Sequence, residues 1–221
     1  EAEMRRLEEL LAPTEVFVIA DEVYEHMVYD GARHESVARF PGLAARSFIV
    51  SSFGKTYHVT GWKVGYIPAA PKLLEPIAKA HQFVTFTTPP NLQRAVAYGL
   101  GKDDSYFTGL CDEMQAKRDR IASGLAALGF GVLPCEGTYF ATCDISPLGI
   151  EGNDAEICRL MVEEAGVAAV PVSAFYVADA PTNFIRFCFC KQDAVIDAAL
   201  ERLGAWIAGR AAPSLAIAGE A

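Results

Sequence analysis

Little in this sequence suits a secreted, membrane-embedded or nucleic-acid-binding protein. Its six cysteines are too few for a disulfide scaffold in 221 residues, and no two form a Cys-x-x-Cys pair. A reducing cytoplasm is the expected setting. Positive charge is scarce, with 19 basic against 28 acidic side chains and a formal net charge of −9. That balance opposes the positive face a nucleic acid requires. Long hydrophobic runs are absent too. The longest weakly polar stretch, Gly166 to Ala180, is shorter than a membrane span and is broken by Pro171 and Ser173. No basic-then-apolar leader opens the chain. The four histidines (His26, His34, His58 and His81) lack metal-ligand spacing, and His-Glu-x-x-His does not occur, so no metal is expected.

What is present is a hydrophobic fraction of 52%, enough for a substantial core. Met4, Leu7, Leu10 and Leu11 mark one face of an opening helix that stops at Pro13. The run from Val16 to Ala20 then reads as a parallel strand buried on both faces, ending at Asp21. Two further apolar runs, around Phe48-Ile49-Val50 and Val64-Gly65-Tyr66, bracket a polar loop. Helices are expected over Pro71 to Val84, Pro90 to Leu100 and from Asp103 or Asp104 to about Leu128. Beyond Gly129 four short strands near 130–133, 139–145, 167–172 and 184–190 alternate with two helices, an α+β pattern. The expected division is 1–120, 121–210 and a frayed tail, 211–221.

The chemistry concentrates between Ser51 and Tyr66. Lys55 and Lys63 stand eight apart in a loop between apolar strands, where a lysine is costly unless paired or covalently used. Gly54, Gly61 and Gly65 permit tight turns or close approach to a ligand. Upstream, Asp21 ends a buried strand, where open α/β sheets bind ligands, and Tyr24 follows within one turn. Asp-x-x-Tyr followed by Ser-x-x-Lys, with a cation eight residues on, supplies what pyridoxal phosphate needs. The set contains a carboxylate for the pyridine nitrogen, a phenol for the ring oxygen and an amine for the Schiff base. Ser52 and Lys63 remain for the phosphate.

The segments Ala20-Asp21-Glu22-Val23-Tyr24, Ser52-Phe53-Gly54-Lys55-Thr56 and Thr60-Gly61-Trp62-Lys63-Val64-Gly65 resemble the fold-type I aminotransferases. Within them the chain is most similar to the branch of kynurenine (glutamine) and methionine-preferring enzymes. The resemblance runs from Glu1 to about Gly209. It implies an α/β fold: the later part of a large domain, a mostly parallel sheet with helices on both faces, plus a C-terminal α+β small domain. It also implies Lys55 as the Schiff-base lysine and proton shuttle, Asp21 and Tyr24 as ring partners, and Ser52 and Lys63 as phosphate ligands. Many relatives carry arginine where Lys63 stands, so a point charge replaces a bidentate fork. By the same resemblance Arg186, in Asn183-Phe184-Ile185-Arg186-Phe187, forks the substrate α-carboxylate, and Phe86 faces the neighbouring subunit's substrate pocket.

The implied activity moves an amino group between an α-amino acid of methionine, glutamine or aromatic type and a 2-oxo acid, in a cytoplasmic homodimer that binds neither membrane nor nucleic acid. The family's long N-terminal part has no counterpart in this sequence. The chain as written is therefore expected neither to hold the cofactor tightly nor to transaminate. A β-eliminating C–S lyase on the same scaffold and a non-enzymatic pyridoxal-binding regulatory domain are the alternatives. Ser52-x-x-Lys55 also matches the serine β-lactamase motif, but Ser-Asp-Asn and Lys-Thr-Gly do not occur. Cys188 and Cys190 share one strand face and are read as packing. Gly129-x-Gly131 lacks the third glycine of a dinucleotide fingerprint.

Overall fold

The computed structural model describes residues 1–211. The chain divides after Asp112 into two compact units. In the first, α1 (Ala2–Leu11) turns Met4, Leu7 and Leu11 onto a buried cluster of Val37, Phe40 and Leu43. The Arg46 guanidinium donates to the carbonyls of Leu11 and Thr14, at 2.7 and 2.9 Å, and so satisfies acceptors left over at the helix end. Strand β1 (Val18–Asp21) runs parallel to β2 (Ser47–Ser52), with α2 (Pro41–Ala44) in the crossover between them. The chain passes from β2 directly into the single turn α3 (Phe53–Thr56), then into β3 (Gly65–Tyr66), which returns antiparallel to β2. The sheet order is β1-β2-β3.

Helices α4 (Pro71–Val84) and α5 (Pro90–Leu100) have the limits expected from the sequence. Proline in the first turn costs no hydrogen bond there and presets φ, so it marks a helix start sharply. Helix α6 (Asp104–Ala127) contains the point of division. One expectation needs correction. Strand β1 is not buried on both faces: Phe17 just before it is 61% exposed and Ile19 within it 76%. It lies at the sheet edge and packs one face, through Ala20, on the Val37–Phe40–Leu43 cluster. An apolar run does not reveal whether both faces find partners.

The second unit holds β4 (Gly131–Val132), β5 (Phe140–Asp144), α7 (Asp154–Leu160), β6 (Val170–Pro171), β7 (Phe184–Cys188) and α8 (Asp193–Ala211). Its sheet, ordered β4-β5-β7-β6, is antiparallel throughout. Alternation buries Ala141 and Cys143 of β5 with Ile185 and Phe187 of β7. The Phe187 ring meets Phe130 edge-on at 5.8 Å. Asn153 and Glu156 form a capping box that starts α7. After Leu160 the helix widens into a π turn, Met161–Ala165, which Gly166 ends at φ 66°. The first unit is α/β, with a parallel strand pair and its helices, and the second is α+β, as the sequence implied. The expected tail, 211–221, lies outside the described residues apart from the helical backbone of Ala211.

Phe187→Ala should lower unfolding free energy by about 3–5 kcal/mol, through lost burial and an uncollapsed cavity. Val177→Ala, at a fully exposed position, should change it by less than about 0.5 kcal/mol. Urea unfolding of the two variants checks the assignment, and equal effects would contradict it.

Candidate active site

The parallel register sets Asp21 opposite Val50, two residues before Ser52, so both strands deliver polar side chains at their carboxyl ends. Asp21 is exposed there, and one of its oxygens accepts from the Val23 amide at 3.3 Å. Tyr24 and Lys55 are half-buried, and the Lys55 Nζ lies 5.9 Å from the centroid of the Tyr24 ring. An ammonium over a phenol face is attracted by the ring quadrupole.

Lys55 sits on a stiffly held turn. The Ser52 hydroxyl accepts from the Gly54 amide at 3.1 Å, capping α3, and donates to the Val64 carbonyl at 3.2 Å. The Thr60 hydroxyl donates to the Gly54 carbonyl at 3.0 Å, and the Tyr106 hydroxyl to the Thr56 carbonyl at 2.8 Å. Tyr57 stacks between neighbours on the same surface, 6.1 Å from Phe53 and 5.8 Å from Tyr106. Gly54 and Gly65 are required by the chain's own close packing. A Cβ on Gly54 would come within 2.8 Å of the Thr60 backbone, and one on Gly65 within 2.6 Å of the Ser51 carbonyl. Around Gly61 there is open space. Lys63 is exposed in left-handed backbone at φ 55°, next to the Val64 that takes the Ser52 hydroxyl.

Glu25 was not singled out in the sequence. Its carboxylate accepts from the buried Ser51 hydroxyl at 3.1 and 3.2 Å and from the Tyr66 hydroxyl at 3.1 Å, so it ties the chain after Tyr24 to β2 and β3. The only signal was its place beside Tyr24, and the register that brings Ser51 and Tyr66 to it is not local. Partial burial, with the Glu25 carboxylate nearby, pushes the Tyr66 phenol above its ordinary value. Phe86 also has left-handed backbone, φ 68°, and is 77% exposed beyond α4. It lines a cavity of about 370 Å³ with Phe53, Gly65, His81, Gln93 and Leu100. A larger cavity, about 500 Å³, lies beside β2 between Val50, Tyr66, Leu74 and His81; it is not lined by Asp21, Tyr24 or Lys55.

In the second unit, Arg186 lies opposite Thr142 in β5 and Val170 in β6. Its guanidinium carbon lies over two aromatic faces, 4.0 Å from the Phe140 centroid and 4.5 Å from that of Phe175. Its Nε is buried without a hydrogen-bond partner, a costly state that a ligand oxygen would relieve. Neither phenylalanine was identified from the sequence. Phe140 follows from the register of β5 with β7, and Phe175 from the loop after β6. Among the described residues no three His, Cys, Asp or Glu side chains group as a metal site, and no helix is long and apolar enough to cross a membrane.

Comparison with known proteins fits this geometry. The sequence pattern of aminotransferase class I and II matches residues 1–203. Methionine aminotransferase of Escherichia coli (strain K12) is 41% identical over 203 residues, covering 92% of this chain and 52% of the relative. Kynurenine–oxoglutarate transaminase of Dictyostelium discoideum is 37% identical over 206 residues, covering 84% of this chain and 47% of the relative. The solved structure of N-succinyldiaminopimelate aminotransferase from Mycobacterium tuberculosis superposes with a TM-score of 0.88 at 38% identity, over 92% of this chain and 53% of that one. The chain thus spans about half the length of the curated relatives it matches.

His26, two residues from Tyr24, packs its ring 4.7 Å from Phe107. Burial holds its pKa below the ordinary value, against the opposing pull of the Glu25 carboxylate. The folded state then favours the neutral ring, while the unfolded chain takes up the proton at about pH 6.5. Stability from this group is present above that pH and is lost as pH falls through it. His26→Gln should flatten the decline of the urea midpoint below about pH 6.5. Identical pH profiles for variant and parent would contradict the assignment.

Proposed function

Because the chain belongs to the class I and II aminotransferase family, we propose that this protein is a pyridoxal-phosphate-dependent aminotransferase. Its substrates are an α-amino acid of methionine, glutamine or aromatic type and a 2-oxo acid. The observation that carries the reading is Lys55 on a capped turn at the carboxyl end of two parallel strands, its ammonium 5.9 Å from the ring centroid of Tyr24.

The donor set suits the cofactor. A carboxylate, a phenol, an amine and a hydroxyl come from two adjacent strand ends, and a cation from the loop that enters β3. When bound, pyridoxal phosphate supplies an electron sink that stabilises the carbanion formed at the substrate's Cα. Asp21 would keep a proton on its ring nitrogen, and the Tyr24 hydroxyl would hydrogen-bond the ring oxygen. The Ser52 hydroxyl, if turned from the Val64 carbonyl, and the Lys63 ammonium would hold the phosphate. Lys63 acts as a point charge, without the paired donors of an arginine. Lys55 Nζ would take the proton from the amino acid's Cα and deliver it within the same half-reaction, and would run that transfer in reverse in the opposite one. Arg186 takes the α-carboxylate on its planar fork, which gives the buried Nε a partner. The large division at 1–120 binds the cofactor, and 121–210 forms the small domain. A homodimer is the working assembly, with Phe83, Val84 and Phe86 (86, 83 and 77% exposed) at the contact between subunits.

In the whole protein, Lys55→Ala should lower kcat by about a thousandfold or more, since it removes the proton carrier. Arg186→Ala should lower kcat/KM for the amino acid by about two orders of magnitude, as expected when a carboxylate loses its charged partner. Steady-state assay with methionine and a 2-oxo acid tests both. Full activity in Lys55→Ala, or pyruvate and a thiol from a sulfur amino acid in place of its 2-oxo analogue, would refute the reading.

A further inference from the structure

The two rings against Arg186 are held in different ways. Phe140 belongs to β5, on the face shared with Thr142, the residue opposite Arg186. Phe175 ends a short 3-10 turn, Val172–Phe175, and is 58% exposed, so side-chain packing does little to fix it. The turn is anchored two residues earlier. The Ser173 amide and hydroxyl both donate to the carboxylate of Asp154, each at 2.8 Å. Asp154 is 1% exposed. Its carboxylate also accepts from the Ala155 amide at 2.9 Å, and its own amide donates to the Thr182 carbonyl at 2.7 Å. One buried residue thereby ties together the chain after β6 and the chain entering β7. A carboxylate so enclosed is tolerated because several donors replace its water.

We propose that Asp154 is a positioning residue for substrate recognition: by clamping Ser173 it keeps Phe175 on the Arg186 guanidinium. The inference rests on Arg186 being the carboxylate ligand. A guanidinium over aromatic faces donates in its own plane and has fewer rotamers to lose when a carboxylate arrives. Releasing Phe175 returns rotamers and water to the arginine. The cost then falls on carboxylate binding, while proton transfer at Lys55 Nζ is left alone.

Asp154→Asn in the whole enzyme puts an amide NH2 against a Ser173 donor. It should raise KM for both amino acid and 2-oxo acid about tenfold with kcat changed less than about twofold. Phe175→Leu should act in the same direction, and the double variant should be no worse than the stronger single one, because both break one linkage. The Kd of 4-methylpentanoate, a carboxylate without an amino group, should rise by the same factor in calorimetry, a readout independent of turnover. Ser173→Ala keeps the amide bond and loses the hydroxyl; it should raise KM about threefold and decides the matter if Asp154→Asn does not fold. A lower melting temperature with KM and Kd unchanged would overturn the proposal and leave Asp154 a purely structural residue. Additive effects of Asp154→Asn and Phe175→Leu would overturn it as well. If Arg186→Lys left KM and Kd unchanged, the reading of Arg186 itself would fail instead.

Discussion

The parallel pairing of β1 with β2 is the constraint on which the candidate site depends. With Val18 opposite Ser47 and Asp21 opposite Val50, both strands stop at nearly the same level. Tyr24, just past the end of β1, and the Ser52-capped turn of Lys55, just past the end of β2, therefore emerge side by side. A slip of one residue would turn every side chain to the other face and separate the two groups. Glu25 reinforces the arrangement from the rear, since Ser51 in β2 and Tyr66 in β3 both donate to its carboxylate. The Lys55 amine stands on a frame of backbone pairing, a helix cap and side-chain hydrogen bonds, and not on a free loop.

The second unit solves a different problem, presenting a fixed positive charge. Strand alternation commits Ile185 and Phe187 to the core and leaves Arg186 on the opposite face. Aromatic faces replace part of the water around its guanidinium, and its buried Nε has no hydrogen-bond partner. The buried carboxylate of Asp154 is, by contrast, fully engaged by its neighbours. One buried polar group is thus satisfied within the protein and the other is not.

Much of this was legible in the sequence because it is local. Proline at the first turn fixed α4 and α5 to the residue. Asp21, Tyr24, Ser52, Lys55 and Lys63 stood out through spacing, since short intervals on adjoining turns are preserved on folding. The hidden features depend on partners distant in the chain. The exposure of Ile19 follows from an uncovered face of β1, and the placement of Phe140 and Phe175 on Arg186 from the register of β5 with β7 and the turn after β6. Glu25 and Asp154 look like ordinary surface acids until the donors that surround them are known.

The central claim is chemical: Lys55, and no other amine, carries the cofactor. Borohydride reduction of the whole protein after incubation with pyridoxal phosphate, with mass spectrometric mapping of its peptides, tests it most directly. The account predicts a single phosphopyridoxyl label on the peptide containing Lys55, absent from Lys55→Ala. A label on Lys63, or an unchanged pattern in Lys55→Ala, would contradict it.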